Sequence, residues 1–155
     1  MFVLKNINNM ELRELIKNSI KEYLNEQQEQ DSDSDNRKKV QLDIILKTNP
    51  MLDDYHLGIR TLNDIKTAKE AWDTNVDFNE DFVYPDFSQQ DAKKALSSGK
   101  IKIYSSYPIK QGTFITPSKR MATDYAGGKE PYSKVVGIND VAWINADEGM
   151  FAKIK

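Results

Sequence analysis

Apolar positions follow two different rhythms along the chain. Over 9–29, Leu12, Leu15, Ile16, Ile20, Tyr23 and Leu24 recur every third or fourth residue. That spacing predicts an amphipathic helix, with Asn8 or Asn9 as its N-cap and a stripe that calls for burial. The rhythm stops at 27–36, QQEQDSDSDN, which holds no apolar residue and reads as a solvated flexible loop. Asp31, Asp33 and Asp35 alternate like the start of an EF-hand loop. Neither the central glycine nor the closing glutamate follows, so no metal site is expected there. A second helix is predicted over 37–48, with Val40, Ile44 and Ile45 on one side and Pro50 as its stop.

After the connection 49–60, a short helix is expected at 67–73 around Ala68, Ala71 and Trp72. Residues 75–87 mix aromatic and acidic side chains, and Pro85 fits an irregular stretch or an edge strand. Ser88 followed by Asp91 forms a capping-box start, and Ala92, Ala95 and Leu96 give that helix a buried side up to Gly99. The period then drops to two. Ile101, Ile103 and Ser105 alternate with Lys102, Tyr104 and Ser106, which predicts a half-buried strand.

Gln111-Gly112 turns the chain into a β-rich 113–116. A short helix is expected from Pro117, capped by Thr116, with Met121, Ala122 and Tyr125 inward and Gly127-Gly128 as its end. Strands are predicted at 132–136, 141–144 and 150–154. The fold class that follows is α+β: a helical N-terminal region, 1–75, then a small, mostly antiparallel sheet with short helices, 76–155, together forming one compact unit.

Composition removes whole chemistries. There are no cysteines, which excludes disulfide scaffolds, thiol nucleophiles and cysteine zinc sites. A single histidine, His56, makes a multi-histidine metal site impossible. No run approaches the roughly 20 apolar residues that span a membrane, and the N-terminus lacks the apolar stretch of a secretory signal. A cytoplasmic protein is therefore expected.

The net charge of −2 hides a division. Residues 1–91 carry 11 basic and 19 acidic side chains, a net of −8, whereas 92–155 carry 11 and 5, a net of +6. Such asymmetry marks either two solvated faces or an interaction surface. Overall acidity argues against direct DNA binding.

The run from Ile101 to Ile154 carries a resemblance. Its order is IKIYSSYP, then GTFITPSKRMATDYA, then YSKVV, DVAWI and DEGMF. This order resembles the small ADP-ribosyltransferase-like domains encoded by phages and conjugative elements. Those domains typically show a strand ending in Tyr-Arg, a Gly-x-x-Val/Phe-Thr-x-Ser strand leading into a helix, a Ser-Lys-x-Val strand, an Asp-Val-x-Trp strand and a late acid.

The resemblance implies NAD⁺ as cofactor and a site shared by a strand hydroxyl pair and a late glutamate. Carried over, Thr116 and Ser118 match the hydroxyl pair, with Tyr125 on the following helix, and Glu148 matches the acid that stabilises an oxocarbenium-like centre. This chain departs where the family has arginine, after Tyr104: it has Ser105, and a hydroxyl does not replace a guanidinium fork on phosphate oxygens. His56, in Tyr55-His56-Leu57-Gly58, is the alternative first-motif residue.

Each candidate also has a plain structural reading. Asn145 to Gly149 is turn chemistry, Thr116 and Ser118 suit a helix cap, and Trp143 and Phe151 suit a core. Lys119, Arg120, Lys129 and Lys134 form either a phosphate-binding set or a solvated basic face.

Three functions follow from the resemblance and its departure. The first is a degenerate domain that binds and inhibits a host protein or ribonucleoprotein, such as a defence system in the manner of an anti-CRISPR. The second is an active NAD⁺-dependent ADP-ribosyltransferase using His56, Arg60 or Arg120 with Glu148. The third is an accessory module of conjugation or phage assembly.

Overall fold

A computed structural model describes residues 9–48, 59, 61–72 and 86–155, with backbone only at 29–31. The elements in chain order are α1 (Asn9–Thr48), α2 (Ala68–Trp72), α3 (Gln89–Ser98), β1 (Lys100–Ser105), β2 (Phe114–Ile115), α4 (Lys119–Tyr125), β3 (Tyr132–Gly137), β4 (Val141–Trp143) and β5 (Gly149–Phe151). The class is α+β, a long N-terminal helix followed by a small antiparallel sheet, as the change of period predicts. Among the described residues no helix is long and apolar enough to cross a membrane.

The first correction concerns 27–36. This stretch is not a loop between two helices, because α1 runs through it without a break and positions 31, 33 and 35 lie within the helix. The physical reason is that the stretch contains no glycine or proline. Serine and aspartate cost only about 0.5–0.7 kcal/mol each in a helix, and glutamine and glutamate less. Arg37 and Lys39 also follow Asp33 and Asp35 by four residues, the spacing at which opposite charges support a helix. The chain divides into two compact units, Met1–Asn36 and Arg37–Lys155.

In the first unit the described residues are all helical. The stripe read from the sequence is there, but Leu12, Leu15, Ile16, Ile20, Tyr23 and Leu24 are all exposed, between 43% and 61%.

The second unit is built on antiparallel pairings. β1 pairs with β3, and β5 lies between β2 and β4. A single bridge, Tyr104 to Thr116, joins the two pieces, and Lys66 bridges to Trp143 at the far side of β4. Strand order is thus β3-β1-β2-β5-β4. Opposite faces of this sheet bury different sets of side chains, as a period of two requires.

On one face Ile101, Ile103, Ile115, Val136, Val141, Trp143 and Phe151 pack with Ala68, Ala71 and Trp72 of α2 and Ala92 and Ala95 of α3. The two indoles lie 4.8 Å apart, and both donate to backbone: Trp72 Nε1 to the Ala146 carbonyl at 3.1 Å, Trp143 Nε1 to that of Ile138 at 3.0 Å. On the other face Ala142, Met150 and Ala152 meet Ile45, Ile59 and Ile65.

Gln41, one turn before Ile45, is 3% exposed. Its Nε2 donates to the carbonyls of Asn139 at 2.9 Å and Ala152 at 3.2 Å, so an outwardly polar residue seals the sheet's margin. Lys38 reaches Glu70 at 2.8 Å. Burial pushes the Glu70 carboxyl up, but the Lys38 ammonium and the Thr67 N–H outweigh it and hold it below its ordinary value.

Local rules explain the short elements. Ser88 and Asp91 form the predicted capping box: the Asp91 N–H donates to Ser88 Oγ at 3.2 Å and the Ser88 N–H to Asp91 Oδ2 at 2.9 Å. Gly99 closes α3 at φ 70°, in the left-handed region that a side chain would strain. Gly149 has a different reason. A Cβ there would lie 2.6 Å from Val141 Cγ1 and 3.0 Å from the Ala142 carbonyl oxygen, so only glycine lets β4 and β5 close.

Two smaller corrections concern α4. Its N-cap is Ser118, not Thr116, and it begins at Lys119, not Pro117. Tyr125 is not on its buried side. Met121 and Ala122 are buried, but Tyr125 is 64% exposed, because a helix this short presents only one turn to the sheet. The final strand ends at Phe151, three residues before the predicted limit. The expected irregular stretch or edge strand lies mostly outside the described residues.

Candidate functional site

Glu148 ends the turn that joins β4 to β5. Ile144 N–H and Asn145 N–H both donate to the Glu148 carbonyl, at 2.9 and 3.3 Å, and the Asp147 N–H donates to Asn145 Oδ1 at 3.1 Å. The Trp72 indole holds the same turn from below through Ala146. The turn chemistry read from Asn145 to Gly149 therefore operates, and it fixes where Glu148 stands.

The strand register shows what Glu148 stands beside. Ile115 faces Gly149 and Phe114 faces Met150. The ladder ends at Ile115 and Gly149; Thr116 follows the one and Glu148 precedes the other along the chain. Thr116 in turn exchanges both backbone hydrogen bonds with Tyr104, at 2.8 and 3.0 Å. Tyr104 and Thr116 are thus paired, and Glu148 directly precedes Gly149 of the neighbouring Ile115–Gly149 pair. By alternation Thr116 shares a face with Phe114, which Tyr125 meets edge-on at 6.5 Å.

The Glu148 carboxyl is held above its ordinary value. Partial burial is the largest cause, the neighbouring Asp147 charge adds to it, and the Asn145 amide, 3.5 Å away, pulls weakly the other way. A shift in this direction favours the protonated carboxyl relative to an ordinary glutamate, the direction in which general acids are displaced.

The hydroxyl candidates serve local structure. Thr116, 2% exposed, accepts the Ser118 N–H on Oγ1 at 3.1 Å. Ser118, 1% exposed, accepts the Met121 N–H at 3.0 Å and donates to Asp86 Oδ1 at 2.7 Å. Asp86 Oδ2 accepts the Arg120 N–H at 2.8 Å. Asp86 therefore completes the N-terminus of α4 from 32 residues upstream, a role that sequence reasoning missed because no local pattern joins the two segments. Its signal is chemical: a carboxylate belongs near exposed helix N–H groups.

Ser105 is placed differently. It alternates with Tyr104, and its side chain is buried on the sheet face that holds Ile101 and Ile103. Its Oγ accepts the Tyr107 N–H at 3.2 Å. Thr116 and Glu148 thus flank the Ile115–Gly149 pair in sequence, and Ser105 lies on the other face of β1 from Tyr104. His56 and Arg60 lie outside the described residues.

The basic candidates are dispersed. Lys119 pairs with Glu130 at 2.7 Å, the contact that raises its ammonium above its ordinary value. Lys134 lies over the Phe151 ring at 4.7 Å, and Arg120 and Lys129 are exposed. Trp143 and Phe151 belong to the core. Among the described residues no cluster of three or more histidine, cysteine, aspartate or glutamate side chains is arranged to hold a metal ion.

Comparison of the chain with protein-family models, with curated proteins and with solved structures gives no match.

Proposed function

We propose that this chain is an ADP-ribosyltransferase-like domain of phage or mobile-element origin whose nucleotide-cleaving site has lapsed. It acts in the bacterial cytoplasm by binding and inhibiting a host macromolecule, such as part of a defence system. Two things support the likeness: the order of the resembling segments, which fall in turn on β1, β2 with α4, β3, β4 and β5, and the pairing of Ile115 with Gly149, the chain neighbours of Thr116 and Glu148. The observation that carries the loss of catalysis is Ser105. At the position where the resemblance calls for a phosphate-holding arginine, the side chain is 4% exposed and its hydroxyl is engaged by Tyr107. A neutral hydroxyl sunk in a core supplies neither the charge nor the paired donors that diphosphate recognition needs.

A second reading, an active transferase, is favoured by the raised Glu148 carboxyl and would draw its cation from His56 or Arg60. Incubation with labelled NAD⁺ and host lysate separates the two. Binding without catalysis gives no bound NAD⁺ by calorimetry and no transferred label. Label transfer that is lost in Glu148→Ala overturns it.

A further inference from the structure

The sheet has a free margin that includes neither Thr116 nor Glu148. β3 is the outermost strand, and among the described residues it pairs on one side only, with β1. Four of its six residues are exposed. Residues 134–137 of β3 line a cleft of about 200 Å³ together with Phe151 and Lys153. Lys100, Lys134 and Lys153 all line it.

The walls are fixed. Lys134 lies over the Phe151 ring at 4.7 Å. Asp140 Oδ2 accepts the Gly137 N–H at 3.1 Å, which occupies part of the one carboxylate in the cleft. Gln111 clamps the backbone of Lys153 from both sides, accepting its N–H at 2.8 Å and donating to its carbonyl at 2.5 Å.

From these features we infer that this cleft is a docking edge for an extended acidic peptide segment, which adds to β3 as a further strand and sets its carboxylates against Lys100, Lys134 and Lys153. An exposed edge strand offers a row of backbone donors and acceptors to such a segment. Charge decides which segment is admitted. Three lysines against one aspartate, in a C-terminal region of net charge +6, repel basic strands and attract acidic ones. The volume is below the roughly 300–1,000 Å³ of sites that enclose a small organic ligand, which argues against a dinucleotide here. The overall charge of −2 disfavours nucleic acid as the occupant.

The docking edge is independent of the NAD⁺ reading. The cleft runs along β3 from Lys134 to Gly137, across from Ile103 to Lys100, and neither Thr116 nor Glu148 is among its lining residues.

The test is a titration of the full, ¹⁵N-labelled chain at low salt with a blocked peptide of alternating valine and glutamate. A valine–lysine peptide and an oligothymidylate serve as comparisons. The expected result is saturable shifts of the amides of 133–137 and 151–153, with slowed hydrogen exchange along β3 and no response to the lysine peptide. Lys153→Glu, at an exposed side chain, weakens binding about tenfold, and adding Lys134→Glu abolishes it, with circular dichroism confirming the fold of both. Shifts confined to other surfaces, equal binding of the lysine peptide, or tighter binding of the oligothymidylate in the same cleft each overturn the inference.

Discussion

The two ends of α1 carry similar apolar stripes and meet different fates. Near its C-terminal end Ile45 is fully buried, with Leu42 and Ile44 packed beside it against β4 and β5. Near its N-terminal end, Leu15, Ile16, Ile20 and Leu24 keep half or more of their surface exposed. The same rule of spacing predicts both stripes, and only the sheet distinguishes them. Periodicity states which face of a helix is apolar. Whether that face gains burial depends on what the rest of the chain brings to it.

The contrast is sharpened first by identical truncations. Ile45→Ala deletes a side chain with no exposed surface and is expected to cost about 2–4 kcal/mol by chemical denaturation, through lost transfer energy and a residual cavity. Gln41→Leu keeps volume at the same end but strands the carbonyls of Asn139 and Ala152. A loss of about 1–3 kcal/mol is expected, against the gain that a simple hydrophobicity argument predicts. Ile20→Ala, on the exposed stripe, is expected to shift the unfolding midpoint of the second unit by less than about 0.5 kcal/mol. A cost equal to that of Ile45→Ala would break the comparison.

A final prediction concerns pH. The Glu148 carboxyl is raised in the folded chain, so folding favours its protonated form. The penalty of the charged form is absent below the ordinary glutamate range and fully present above the folded pKa, so it grows as pH rises between them. Glu148→Gln should therefore raise Tm slightly at neutral pH and leave it unchanged near pH 3, an effect read by scanning calorimetry at both values.

What the sequence made legible was local. The Ser88–Asp91 box and the alternation of Ile101 and Ile103 with lysines each declare themselves within four residues, and both are found as read. What stayed hidden depends on distant partners. Gln41 looks like a solvated helix residue until the carbonyls 98 and 111 positions away are in place. The run at 27–36 has the composition of a loop, yet helix propagation needs only the absence of breakers and two nucleated flanks. The candidate site divides in the same way. Glu148 and Thr116 stand out from their motifs, but the strand pairing of their neighbours Gly149 and Ile115 comes only with the sheet, and the burial of Ser105 from the alternation along β1.

The paired indoles have a practical consequence. Both tryptophans of the chain belong to the second unit, and both have their N–H groups bound to carbonyls in a nearly dry environment. Emission excited at the red edge of indole absorption therefore reports on the second unit alone, while residues 9–36 contribute to far-ultraviolet ellipticity without contributing to that signal. Melting the protein with both detectors separates the two units without any label, and a divergence between the traces measures how independently they unfold.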